Sequence, residues 1–287
     1  MSETARRLLV VVTLVVVFGG IAIADRVVGR GPAPPPASSG PASSAPRIAP
    51  LGVESAAWYC AAGTAAAGAG ALTLLLVNTG RAPVAGTVTA HSSGGAISSV
   101  PVDVRALGSS VLSLGTLAAD SAIGASVVLD GGGVGAWEEV DGPTGWSVTP
   151  CASDLSPQWY FAHGSTQTGD TFTLALYNPG VTDAVTDVSL LTSTEGIVVP
   201  AAFQGVDVAS GSLVVDDVGD HVQGDPAIGA EVTTLSGSLV AFELQATGQP
   251  GQGGSSVLIG QPGAGCRAAV LADDREQHGS EGFPGLP

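Results

Sequence analysis

The sequence predicts an all-β chain: two tandem immunoglobulin-like antiparallel β-sandwich domains placed after an N-terminal apolar helix and a Pro/Ala/Ser linker. Three observations predict it. The segment WYFAHGSTQTGDTFTLALYNPG at 159–180 is preceded by a looser copy of itself, WYCAAGTAAAGAGALTLLLVNTG at 58–80. The strongest hydrophobic patterns after residue 50 have a period of two, not 3.6. Short apolar runs also recur at roughly ten-residue spacing between glycines and prolines, the signature of a sandwich rather than of helices.

The chain opens with a short basic N-terminus, 1–7. Arg6 and Arg7 precede an apolar run from Leu8 to Ala24 that Asp25 and Arg26 close. As a helix, these residues rise roughly 25 Å, the short limit for crossing a bilayer. The basic flank keeps the start in the cytoplasm and sends the remainder out. Segment 8–24 is thus expected to be a transmembrane anchor, or a signal peptide cleaved after Ala24 at the small-x-small site Ala22-Ile23-Ala24. The expected location is the cytoplasmic membrane with an extracellular C-terminal part, or the secreted fraction if cleavage occurs. Residues 25–52 are rich in Pro, Ala and Ser, with almost nothing to bury. They read as a semi-rigid spacer.

The first repeat is assigned to 53–151 and the second to 152–266. In the first, Leu72, Leu74 and Leu76 alternate as a strand, and Asn78-Thr79-Gly80 turns the chain, glycine supplying positive φ,. A strand with Val84, Gly86, Val88 and Ala90 on one face follows, and its counterpart carries Ala184, Thr186, Val188 and Leu190. Further matched blocks are Val100-Pro101 with Val199-Pro200, and Gly108–Leu112 with Ser210–Val214. Ala122–Ala125 matches Ala227–Ala230, and Ala136-Trp137-Glu138 matches Ala241-Phe242-Glu243. The chain has two asparagines, Asn78 and Asn178, and both occupy the same matched place. Such a spacing, about a hundred residues, is one whole domain and too long for a solenoid or propeller unit. The tail 267–287 is acidic and glycine-rich and is expected to be disordered.

Charge narrows the function. Residues 1–50 hold five arginines against two acids, whereas the remainder holds four arginines against 23 acids, for a net charge of −16. A surface this acidic repels phosphate backbones, which excludes nucleic-acid binding. The cysteines are Cys60, Cys151 and Cys266. Export favours pairing. Cys60–Cys151 is the leading disulfide, with Cys151–Cys266 and free thiols as alternatives. Phe161 stands where the first repeat has Cys60, and Cys266 is matched to Cys151. A loop that long would stabilise by about 4 kcal/mol.

No catalytic motif emerges. G-x-S-x-G, H-E-x-x-H, the P-loop and the dinucleotide fingerprint are all missing,. His91, His163, His221 and His278 are too widely spaced for a zinc set,. His163 lies in the WYFAHGST block, although its counterpart is Ala62. Asp216, Asp217, Asp220 and Asp225 form an oxygen-rich loop that lacks the D-x-D-x-D-G order of a calcium site. Glu138 and Glu243 have the residue types of a glycosidase carboxylate pair, but they hold equivalent places in different domains. Trp58-Tyr59 and Trp159-Tyr160 offer rings for sugar or peptide stacking; strand alternation turns one ring of each pair into the core. Ligand contact is therefore assigned to Trp58, Tyr59, Trp159, Tyr160 and His163, with no catalytic residue, metal or cofactor expected.

W-Y-C-A-x-G-T from Trp58, P-C at 150–151, and W-Y-F-A-x-G-S-T with L-Y-N-P-G from Trp159, behind an export segment and a spacer, resemble an actinobacterial exported or membrane-associated family, domain of unknown function family 5719. Trp58–Gly80 and Pro150–Gly180 carry the likeness, and weaker blocks extend it over most of the exported part. The resemblance implies an envelope protein of high-GC Gram-positive bacteria and supplies no activity. Its members are often longer, so LADDREQHGS reads as the broken start of a third repeat. The expected role is that of a non-catalytic exported envelope protein, structural or accessory, whose partners are envelope proteins or glycans. A cell-wall carbohydrate- or peptidoglycan-binding module is the alternative, and a hydrolase comes third.

Overall fold

A computed structural model describes residues 48–63, 71–117, 122–142, 145–248 and 253–263. The expected membrane segment 8–24, most of the linker, Cys266 and the tail 267–287 lie outside them. Among the described residues there is no α-helix, and no helix is long and apolar enough to cross a membrane.

The first repeat folds into β1 (Ala56–Gly63), β2 (Ala71–Asn78), β3 (Val84–Ser92), β4 (Gly95–Val104), β5 (Gly108–Ser113), β6 (Ile123–Leu129), β7 (Val134–Gly142) and β8 (Gly145–Pro150). They form two antiparallel sheets, β1-β6-β3-β4 and β5-β2-β7-β8. The second repeat supplies β9 (Gln158–Phe161), β10 (Asp170–Asn178), β11 (Ala184–Thr192), β12 (Gly196–Val198), β13 (Val206–Val208), β14 (Ser212–Asp217), β15 (Ile228–Ser236), β16 (Val240–Thr247), β17 (Gly254–Ile259) and β18 (Gln261–Pro262). Its sheets run β12-β11-β15-β9-β18, with β13 also on β11, and β14-β10-β16-β17. Both sandwiches therefore share one strand order. Strands 2 and 5 lie on one sheet and 3 and 6 on the other, as in immunoglobulin domains. The terminal strands exchange places: β1 pairs with β6, and β7 with β2.

Alternation explains the cores. Leu72, Leu74 and Leu76 point inward from β2, and Phe172, Leu174 and Leu176 do so from β10. Each buried leucine contributes about 2 kcal/mol of apolar transfer. The copies superimpose in register: Leu74 pairs with Glu138 and Leu174 with Glu243. Asn78 Nδ2 donates to the carbonyls of Ala82 (2.8 Å) and Val104 (3.0 Å), and its Oδ1 accepts from the Gly80 amide (2.7 Å). Asn178 repeats all three bonds with Thr182 (2.8 Å), Val208 (2.9 Å) and Gly180 (2.9 Å).

Four expectations need correction. Gly80 and Gly180 do not have positive φ; a Cβ there would sit 3.0 and 2.9 Å from the asparagine Oδ1, so glycine serves close approach. The Val-Pro steps do not coincide. Pro101 lies within β4, opposite Thr87, whereas Pro200 lies in the stretch that separates β12 from β13. The Ser-rich strands match two residues further on: Gly108 pairs with Asn78, but it is Ser212 that pairs with Asn178. The position of Cys151 is taken by Gly260, not Cys266: the amide of Cys151 bonds to Ala136 O and that of Gly260 to Ala241 O.

Candidate functional site

Cys60 and Cys151 form a disulfide inside the first sandwich. In the second, Phe161 replaces Cys60 and its ring fills the space above Gly260, where a Cβ would lie 2.9 Å from Phe161 Cζ. Glu138 is buried beside the disulfide, its carboxylate and the two sulfurs lying within 4.8 Å of one another. Sulfurs bonded to each other are not thiolate ligands, so this trio holds no metal while oxidised.

Burial pushes the Glu138 carboxyl well above its usual range, only partly offset by the backbone amides of Ala61 and Ala62,. Burial likewise raises Glu243 to about 7. The two acids belong to different cores and do not meet, so no glycosidase pair exists between them. Their titration sets a pH profile. Each binds a proton more tightly when folded, so the stability it provides is full below the unfolded pKa and is lost as pH rises through the folded one. Glu243 should therefore remove about 3 kcal/mol between pH ~4.5 and ~7. Asp225 acts in the opposite sense. Burial would raise its pKa, but the Ser193 and Thr194 hydroxyls and nearby amides hold it well below the usual value. Its contribution is lost as pH falls below that value. Melting temperature is expected to peak near pH 4–5, and Glu243→Gln is expected to flatten the decline toward pH 7. An unchanged slope in the variant would dismiss this assignment.

Three carboxylates of the acidic loop are engaged within the chain. Asp225 receives Ser193, Thr194 and Ala227, Asp217 caps a 3-10 turn through the Gly219 amide, and Asp216 lies 3.2 Å from His221 Nε2. Trp58 and Trp159 are core residues, Trp159 Nε1 donating to Leu239 O, so neither ring is a stacking platform. His163 is exposed. Tyr59 and Tyr160 are half-buried on the outer faces, and here the two repeats part company.

The outer face of β1-β6-β3-β4 packs against β14-β10-β16-β17 of the second sandwich. His91 stacks on Tyr177 with ring centroids 5.3 Å apart. Its Nδ1 lies 2.7 Å from Gly211 O, which can only accept, so Nδ1 carries the proton and Nε2 accepts from Ser126 Oγ at 3.1 Å,. Burial lowers the pKa of His91 and raises those of Tyr177 and Tyr59. The Ser126–His91 pair has the sense of a nucleophile and its base. However, Nδ1 faces a neutral carbonyl and Tyr177 packs on the ring, so its role is to join the sandwiches. The equivalent face of the second sandwich instead carries a groove of about 220 Å³ lined by Tyr160, Ser189, Leu191, Ile197, Gly229 and Glu231.

No protein-family model matches this chain, and no curated protein matches it. Among solved structures it is similar to Thermotoga maritima 1070, at 13% identity and a TM-score of 0.33 over 37% of this chain and 92% of that one. It is also similar to the Streptomyces avermitilis alpha-L-rhamnosidase complexed with L-rhamnose, at 10% identity and a TM-score of 0.21, spanning 78% of this chain but 26% of that one. At these scores neither likeness carries an argument.

Sequence reasoning missed His91, Ser126 and Tyr177. Their signal is weak: His91 lies on a strand whose neighbouring outward residues, Thr87 and Thr89, are polar, and Tyr177 follows the run FTLAL with nothing to mark its partner.

Proposed function

We propose that this chain is a non-catalytic, exported cell-envelope protein that acts through the surfaces of its two sandwiches. The observation that supports this most is where the chemistry-bearing side chains go. Glu138 and Glu243 lie in separate cores, both tryptophans of the repeat motif are packed, and the Ser126–His91 pair is covered. The disulfide suits an oxidising compartment,, and the apolar run 8–24 suits an anchor or signal. The motif resemblance to domain of unknown function family 5719 adds the actinobacterial envelope as its setting. Cell fractionation tests the reading. The full chain should be recovered in the envelope or the medium, and deletion of 8–24 should leave it in the cytosol. Recovery of the full chain in the cytosol would end the proposal.

The second reading, a peptidoglycan- or carbohydrate-binding module, draws on the groove beside Tyr160. Sedimentation with purified cell-wall glycan should then retain the protein and lose it on Tyr160→Ala. Trp159→Ala is no test, because that ring supports the core.

A further inference from the structure

We infer that the groove on β12-β11-β15-β9 is the unoccupied copy of the interface that already joins the two sandwiches, and that it receives a second copy of this chain, head to tail. The register makes the correspondence residue by residue. Tyr59 pairs with Ser126, which pairs with Thr89, and His91 pairs with Gly124. Tyr160 pairs with Glu231, which pairs with Ser189, and Leu191 pairs with Gly229. The groove residues are thus the equivalents of Tyr59, Ser126, Thr89, His91 and Gly124, on the face that the second sandwich covers in the first.

The partner face is duplicated too. Sheet β14-β10-β16-β17 presents Ala175, Tyr177 and Phe242 toward the first sandwich, since these alternate with its core residues Leu174, Leu176 and Glu243. Their equivalents on β5-β2-β7-β8 are Leu75, Val77 and Trp137. That outer sheet also exposes Trp146 (68%) and Val111 (68%). The groove side exposes Leu191 (59%) and Ile197 (75%). Each molecule therefore carries one open copy of the groove face and one half-buried copy of the face that fills it; the β8–β17 contact, which includes Val257 N donating to Ser147 Oγ at 3.0 Å, is made within the molecule, so the open joint repeats the facing sheets only. A contact between unlike faces does not close on itself at two molecules; it propagates as a ring or a filament. Leu191 in place of His91 makes the open joint more apolar than the internal one. Glu231 and Glu139 add like charge near it, so association should strengthen as salt screens them.

This assembly deepens the surface-acting role proposed above and rests on it. The test is sedimentation velocity of the full chain in detergent across concentration and salt, with Leu191→Glu on the groove side and Val77→Glu on the opposite side. The wild-type chain should form concentration-dependent species beyond the monomer, increasing with salt. Either variant alone should be monomeric with an unchanged melting temperature. A mixture of the two should give a one-to-one dimer and nothing larger, because one intact joint remains. A wild-type chain monomeric at its highest soluble concentration would overturn the inference, as would assemblies that survive in either variant. Glycan bound at Tyr160 by a strictly monomeric chain would overturn it as well. A monomeric chain still recovered in the envelope would leave the proposed function standing, so the two failures are distinguishable.

Discussion

Removing the Cys60–Cys151 bond, by reductant or by the double change Cys60→Ala with Cys151→Ala, is expected to lower the stability of the first sandwich by about 4 kcal/mol and to leave the second nearly unchanged. The bond joins residues 91 apart, and a loop of that length restricts the unfolded chain by an amount of this order. The second sandwich has no such tie at the same place. There the Phe161 ring occupies the volume that Gly260 leaves open, with a Cβ on Gly260 also falling 3.0 Å from Trp159 Cβ. One repeat solves the position by a covalent link, the other by complementary size. Calorimetry should show two transitions, of which reductant lowers that of the first sandwich alone. A rescue is expected as well. Cys60→Phe alone would overpack against Cys151 and cost a further 1–3 kcal/mol, roughly, whereas Cys60→Phe with Cys151→Gly should recover part of the loss because it recreates the Phe161–Gly260 fit. If both transitions shift together on reduction, the bond does not act locally and this account fails.

The duplication and its strands are legible in the sequence because period-two burial and the Asn-x-Gly turn are local patterns, and each appears twice. The mismatches share a cause, which is that residue identity is a poor guide where shape decides. Cys266 matches Cys151 as a residue type, yet the fold puts a glycine opposite Phe161. The second Val-Pro step looks like the first, yet five residues separate Ser98 from Val104 while nine separate Val198 from Val208. The joint between the sandwiches is not legible at all. His91 meets Gly211 across 120 positions, and no periodicity links them. Tyr59 and Tyr160 sit in almost identical motifs, one covered and one beside an open groove, and no local pattern distinguishes them.

Asn78→Ala is expected to destabilise the first sandwich by about 3 kcal/mol, and Asn178→Ala the second by a similar amount. The asparagine ends β2 on one sheet and donates to the carbonyl of Val104, the last residue of β4 on the other, so it fastens the two sheets at one corner. Its truncation strands two carbonyls and one amide, and each buried group left without a partner costs about 1–3 kcal/mol less whatever water can reach. The glycine two residues on is part of the device, since the Gly80 amide approaches Oδ1 within 2.7 Å. Asn78→Asp should be worse than alanine. The carboxylate keeps the Gly80 amide, but sets negative oxygens against two carbonyls and buries a charge. Protonation would restore a single donor, so the aspartate variant should regain stability as pH falls, and the alanine variant should not. Because the two asparagines lie in separate cores, the double alanine variant should be additive within about 0.5 kcal/mol. Denaturant titration of the four proteins decides the matter. A loss below about 1 kcal/mol in each single variant, or an aspartate better tolerated than alanine at neutral pH, would show that the corner is held by strand pairing alone.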